Sequence, residues 1–382
     1  SDAPIRFTPL PYLRSGGGVA LDGGPRFDLE AFDAAFFERL RTRVGAAVAR
    51  DLVVSVMLFQ GFSVARNVAP GVTAGGDPWR GHPFHRDNNA NGVDGDPDRR
   101  GHGRAVHTLV DARITALQEH HVARVVEAVD GLGPVLFEVG NELHPDSWEW
   151  QRHIADTVRR CASEHPALVG QGASFPHGQS NARLAASDAD WISPEHTAAE
   201  PYKWDPPAVP AVRPVLLDTD HLWGVGGDAD WVWRAFFRGA NPIVMDPWAD
   251  VRFAGTLGDT RGDAHWESVR RALGAVRRLA DRIDLASLAP HPERASSGYA
   301  LSDGRSEVLA YWPPPGRGLR RWHPKHVRLR VDLPAAAARW DARWIDPVTE
   351  TAGETRIATG ESLTAWRMPT GGARILHLRR RD

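Results

Sequence analysis

The sequence predicts an α/β chain: a (β/α)8, TIM-type barrel with its first strands short or missing, followed by a small all-β sandwich. Three observations lead there. Apolar, β-branched runs recur between residues 52 and 246 and alternate with helical patterns or loops, which is how βα units around a parallel sheet read. Six such units fall within about 285 residues, with room for two more, and that suits a closed barrel better than an open sheet. After about residue 290 come short alternating runs cut by Gly, Pro, Asp and Thr, the texture of antiparallel strands. Domains are therefore expected at 1–288 and 293–382.

Residues 1–30 are rich in Gly and Pro, with short apolar pieces at Ile5–Phe7 and Val19–Leu21. Helical period begins near Leu29 and places Phe32, Phe36, Leu40, Val44 and Val48 on one face. The run Leu52–Phe59 reads as a strand buried on both faces. A polar, glycine-rich loop over 60–104 precedes a helix at 107–130 and the strand 134–140. A helix at 147–164 leads to strands at 167–175 and 190–195, then 213–220. A helix at 228–238, a strand at 241–246 and a long helix at 263–284 complete the series. These six strands are read as the third to eighth of a barrel. The first two are either fragments within residues 1–30 or lie upstream.

Formal net charge is −2, so no global field draws the chain to nucleic acid or an anionic membrane, and neither partner is expected. No apolar run reaches the length of a membrane span, and no signal peptide opens the chain. The compartment stays open, with a secreted or periplasmic location preferred, and oligomeric state is not readable. The single cysteine, Cys161, excludes an internal disulfide and a thiol metal cluster; it reads as buried and inert. Tryptophan stands out, with 15 Trp against 4 Tyr. Indole faces can stack on the C–H patches of sugars or simply fill a core.

A barrel carries its chemistry at the C-terminal ends of the strands. There the sequence places Asn141-Glu142, Glu195-His196, Asp218-Thr219-Asp220-His221 and Asp246-Pro247-Trp248. The loop after 52–59 adds His85, Asn88 and Asn89. Glycoside cleavage needs one carboxyl that stays protonated and one that is ionised, and mutual repulsion can hold the two states apart.

The segment "VLFEVGNELHPDSWEWQ" resembles the fourth-strand motif of clan A glycoside hydrolases, retaining (β/α)8-barrel enzymes of the cellulase type. The resemblance spans roughly residues 30–285 in strand order and reaches motif level only at the fourth and seventh strands. It implies that Glu142 is the general acid/base and that Asn141 contacts the substrate 2-hydroxyl. It also implies a glutamate nucleophile ending the seventh strand, yet "RPVLLDTDHLWG" has Thr219 about where that residue belongs. Asp220, or else Asp218, is the candidate second carboxylate, and Glu195 a further one. His85, Asn88, Asn89, His196 and His221 are expected to orient hydroxyls. Trp223, Trp248 and Trp79 are candidate sugar platforms. Glu138 reads as part of a buried polar network.

Asp87, Asn89, Asn91, Gly92 and Asp98 match the spacing of a calcium loop, but the flanks are not helices, so no EF-hand is expected. The histidines form no HExxH motif, and no phosphate loop or Gly-x-Ser-x-Gly elbow is present. No metal or cofactor is expected. The reading is thus an O-glycosyl hydrolase acting on a poly- or oligosaccharide. The alternatives are an inactive carbohydrate-binding barrel, which the missing glutamate suggests, and a hydrolase aided by a metal in the 87–98 loop.

Overall fold

The computed structural model describes residues 8–64, 77–100, 102–164, 166–176, 180–209, 212–248, 260–314, 328–334, 338–359, 364–367 and 372–381. The chain divides into two compact units, Ser1–Ser193 and Pro194–Asp382.

The first unit opens with an antiparallel hairpin, β1 (Tyr12–Val19) and β2 (Pro25–Phe32). This corrects the expected helical start near Leu29. Phe27 and Leu29 are buried while Arg26 and Asp28 are less so, the period-2 burial of a strand. The helix α1 (Ala34–Val48) begins only where Asp33 can cap it, accepting from the Ala35 amide. Its fully buried residues are Phe37 and Val44; Phe36, Leu40 and Val48 line the edge of the core.

Four parallel strands follow, in the order β3 (Val54–Gln60), β4 (Val135–Asn141), β5 (Leu168–Gly172) and β6 (Trp191–Ser193). Between them run α2 (Ala112–Val129), α3 (Trp148–Cys161) and α4 (Asn181–Ala186). The strand β3 is not buried on both faces as expected. Val56 and Leu58 enter the core, whereas Ser55 and Met57 are exposed, as are Leu52 and Val53 before the strand. In β4 the four consecutive residues Phe137, Glu138, Val139 and Gly140 are buried.

The core of this unit joins Phe37 and Val44 to Val56 and Leu58, Val122 and Val126, Phe137 and Val139, and Trp150 and Ile154. Two side chains there satisfy each other and the backbone. Trp150 Nε1 donates to Gln118 Oε1 at 2.8 Å, and Gln118 Nε2 donates to the Val106 carbonyl at 2.7 Å. Cys161 sits half-buried at the core edge, and burial raises its thiol pKa, so the unreactive thiol form is favoured.

In the second unit β7 (Leu216–Asp218) and β8 (Asn241–Ile243) form a parallel pair, with α5 (Ala229–Phe237) between them and α6 (Ala264–Ala280) after. The parallel strands β3 to β8 thus overlap the six stretches expected to be barrel strands; β3 and β4 each run one residue past the expected end, and β5 to β8 are shorter than expected.

Eight antiparallel strands follow: β9 (Ala289–Pro290), β10 (Ala300–Ser302), β11 (Glu307–Trp312), β12 (Arg328–Val331), β13 (Arg339–Ile345), β14 (Arg356–Thr359), β15 (Thr364–Arg367) and β16 (Arg374–Arg380). Six make one sheet, ordered β14-β13-β16-β11-β10-β9, and β12 pairs with β15. Leu329 and Val331 of β12 share a core with Val308, Trp340, Leu376 and Leu378 of the larger sheet. The expected boundary at 288–293 falls inside this unit, because aromatic residues bridge it. Tyr311 of β11 stacks on Phe237 of α5, with ring centroids 5.4 Å apart, and faces Trp233 at 6.1 Å.

Buried histidines make the first unit sensitive to acid, and His121 shows how. His121 lies among Tyr12, Phe32, Phe37 and Phe59. Burial pushes its pKa down from 6.5 to about 4, partly offset by a hydrogen bond to the Leu58 backbone. A depressed pKa in the folded state means that the unfolded chain takes up the proton first. His121 therefore contributes stability above about pH 6.5 that is lost as pH falls toward about 4. Thermal melts from pH 7 to pH 4 are expected to show a falling Tm, and His121→Phe is expected to flatten that fall.

Candidate active site

The pairing of β3 with β4 runs in register from Val54↔Val135 to Gln60↔Asn141. Both strands therefore end at the same level, and the chain leaves them at Gly61 and Glu142. The Gly61 amide donates to the Asn141 carbonyl at 2.7 Å. A Cβ added to Gly61 would lie 2.0 Å from the Glu142 carbonyl oxygen, and one on Gly140 would lie 2.8 Å from the Phe59 carbonyl oxygen. Only glycine allows backbones this close. Glu142 has φ +50°, in the left-handed region, where a residue with a Cβ is strained by about 1–2 kcal/mol. The side chains of Asn141 and Glu142 are half-buried. The next residues turn inward: Leu143 and His144 are buried, and the Leu143 carbonyl accepts from the Phe175 amide after β5.

The 77–100 loop corrects several expectations. Asn88 is 2% and Asn89 1% exposed, and their amides are committed to backbone. Asn88 Nδ2 donates to the Arg80 and His82 carbonyls while its Oδ1 accepts from the Leu21 amide. Asn89 Nδ2 donates to the Pro83, His85 and Val93 carbonyls while its Oδ1 accepts from the Val93 amide. They fasten the loop and tie it to the hairpin instead of facing a sugar. Asn91 Oδ1 accepts from the Leu29 amide, so the two Asn oxygens of the calcium-like pattern point to separate backbone donors, while Asp98 pairs with Arg100. Among the described residues no group of three or more His, Cys, Asp or Glu could hold a metal ion.

Trp79 is buried against His82, with rings 5.0 Å apart, which makes it core and not a sugar platform. His85 is half-buried, and its Nδ1 accepts from the Asp87 amide. Burial holds His82 down to about 3 and His144 to about 4, and keeps His107 well below its ordinary value. These imidazoles are neutral, and His107 packs on Trp150 at 4.6 Å.

In the second unit Asp218 ends β7 and caps the 3-10 turn Thr219–His221, its Oδ1 accepting from the Asp220 amide at 3.0 Å. Burial raises its pKa, against the opposing pull of that hydrogen bond and of His221. Asp220 is half-buried. Thr219, at the level of the absent glutamate, is fully buried, and its hydroxyl accepts from the Met245 amide. Glu195 is fully buried and His221 nearly so. Neither presents a surface to a sugar, which corrects their expected contact role. His196 is half-buried, and its Nδ1 accepts from the Lys203 amide.

Trp223 stands half-buried between Trp204 and Trp231, with edge-on contacts at 5.8 and 5.4 Å. Trp248 is exposed, with the Arg270 guanidinium 4.5 Å from its ring centre. The same guanidinium grips both Asp246 carboxylate oxygens, at 2.9 and 2.6 Å. Asp246 is thereby occupied as an ion-pair partner. Trp204 was not among the expected platforms; it lies eleven residues past the end of β6 in a Pro-rich stretch, and its one signal was the tryptophan itself.

No protein-family model matches the chain, and no curated protein does. Solved structures do. A glycoside hydrolase family 5 protein from Bacteroides vulgatus superposes with a TM-score of 0.53 at 13% identity, covering 90% of this chain and 85% of that one. A structure described as a glycoside hydrolase gives 0.51 at 9% identity, covering 90% and 89%. A further Bacteroides vulgatus structure gives 0.57 at 12% identity, covering 98% of this chain and 69% of that one. At these identities the likeness is one of fold.

Two outcomes follow from the packing. Gly61→Ala is expected to lower the unfolding free energy by about 1–3 kcal/mol in urea titration, as overpacking against a fixed carbonyl does. Asn89→Ala is expected to destabilise by at least as much, because it removes the side-chain partners of the Pro83 and Val93 carbonyls and of the Val93 amide.

Proposed function

We propose that this chain is a glycoside hydrolase that cleaves O-glycosidic bonds of a poly- or oligosaccharide, with Glu142 as its acid/base. The observation that carries the reading is the Asn141-Glu142 pair at the C-terminal end of a buried parallel strand, with Glu142 in a left-handed conformation pressed against Gly61. Strained backbone at a strand end is where function concentrates in such sheets. The fold shared with glycoside hydrolase structures supports it.

The reaction is read as retaining. Glu142 gives its proton to the glycosidic oxygen as the C1–O bond breaks. A second, ionised carboxylate attacks C1 and forms a glycosyl ester. Glu142 then takes a proton from water, which attacks C1 and expels the carboxylate. Asn141 is assigned to the 2-hydroxyl. For the second carboxylate Asp220 suits better than Asp218. Asp218 is engaged as a cap, and its burial disfavours the ionised form that a nucleophile needs.

The test is a panel of polysaccharides and aryl glycosides, with the reducing ends and the anomer of the first product followed by NMR. Glu142→Gln is expected to lower kcat/KM on an unactivated substrate by about 10²–10⁴-fold, the range for a lost general acid. Asp220→Asn is expected to lose more activity than Asp218→Asn. Hydrolysis that survives Glu142→Gln undiminished would refute the assignment, and an inverted first product would remove the covalent step.

A further inference from the structure

Trp204 is 66% exposed, yet the chain around it is fastened on both sides. Before it, Trp231 Nε1 donates to the Tyr202 carbonyl at 2.9 Å, and the Lys203 amide donates to His196 Nδ1 at 3.2 Å. After it, Asp205 Oδ1 accepts from the Tyr299 hydroxyl at 2.6 Å and from Arg238 Nη2 at 3.0 Å. The Trp204 and Asp205 amides both donate to the Pro201 carbonyl, at 2.9 and 3.0 Å. The ring leans edge-on against Trp223, which leans on buried Trp231. An indole is thus held in water on a stretch of chain that is fastened before and after it.

The fastening reaches into the C-terminal sheet. Tyr299 immediately precedes β10, and its hydroxyl also accepts from Arg234 Nη1 at 2.9 Å. The Arg238 guanidinium lies 4.5 Å from the centre of the Tyr299 ring. Removing that hydroxyl would take one of these two contacts from the Asp205 carboxylate and leave the one from Arg238.

We propose that Trp204 is a stacking platform for one sugar ring of an oligosaccharide, and that Tyr299 of the C-terminal region is the residue that positions it. The ligand class rests on the glycosidase reading. The size of the feature agrees with it. Trp204 is the one exposed large apolar residue among the described residues 194–209, and a single ring falls far short of the roughly 800 Å² per partner that a stable protein interface buries. An exposed indole with polar Lys203 and Asp205 as its chain neighbours suits a pyranose, which pairs a C–H face with a rim of hydroxyls.

The experiment is calorimetric titration of cellohexaose, xylohexaose and mannohexaose into Glu142→Gln protein. The same titrations are made in that background with Trp204→Ala, Trp204→Phe, Tyr299→Phe and the Trp204→Ala/Tyr299→Phe pair. At least one hexaose is expected to bind, with Trp204→Ala weakening it by about 2- to 12-fold, the worth of an aromatic contact. Trp204→Phe is expected to lose less. Tyr299→Phe is expected to weaken binding alone and to add nothing to Trp204→Ala, as a residue acting through the platform would. Thermal melts of Trp204→Ala should match the parent, since its ring is exposed. Equal affinity in parent and Trp204→Ala overturns the proposal, and so does a parent that binds none of the three. Failure of the glycosidase reading has a different signature: no hydrolysis by the unmutated chain, whatever the hexaose titrations give.

Discussion

Adjacent strands in a parallel ladder deliver their ends to one level only when their registers match, and β3 and β4 match from Val54↔Val135 to Gln60↔Asn141. That match brings Gly61 under the Asn141-Glu142 peptide. The 2.7 Å bond from the Gly61 amide to the Asn141 carbonyl then holds a residue that would rather not be left-handed. The helices behind the strands keep the register, because Val56, Leu58, Phe137 and Val139 all enter one core with α1, α2 and α3. A one-residue slip would turn each of them to the other face. Burial of the sheet, register, close approach and backbone strain at Glu142 form one causal sequence.

The second unit rests on a different device. Polar groups of α5 are joined to the C-terminal strands through buried hydroxyls. The Tyr311 hydroxyl donates to Asp230 at 2.7 Å, and Arg234 pairs with the same carboxylate at 2.6 Å. Burial raises the pKa of Asp230 and lifts Tyr311 well above its ordinary value, so Tyr311 stays a donor. Taking away one partner of such a network leaves the others unsatisfied in a dry place, which is why networks of this kind define one arrangement. Together with the stacking of Tyr311 on Phe237, the network makes the C-terminal sheet part of the unit that carries β7 and β8.

The elements with strong periodicity were legible in the sequence. The strand at 134–140, the helices at 147–164 and 263–284, and the antiparallel texture past 290 all stand close to their expected places. The hairpin over 12–32 was not legible, because Gly-rich β1 has almost no alternating pattern and Phe32 falls in phase with the helix that follows Asp33. Asn88 and Asn89 misled for another reason. Asn in a long loop serves equally to bind a ligand or to satisfy backbone groups, and only their depth and partners decide. Glu195 and His221 are chemically apt and sit at strand ends, but burial removes them from contact, and burial of a single polar residue leaves no periodic trace. The place of Asn141-Glu142 at the end of a buried strand was legible in the apolar run before it; the strain at Glu142, set by Gly61 some eighty residues earlier, was not.

Whether Glu142 donates the proton to the leaving oxygen is read most directly from the dependence of kcat/KM on leaving-group acidity in Glu142→Gln against the parent chain. A leaving group as acidic as dinitrophenol departs without a proton, whereas an alkyl glycoside cannot. With Glu142 as the acid, the variant stays close to the parent on the dinitrophenyl glycoside and falls progressively behind as the leaving group becomes more basic. An equal loss across the series would contradict that role and would make Glu142 a structural residue of the strand end.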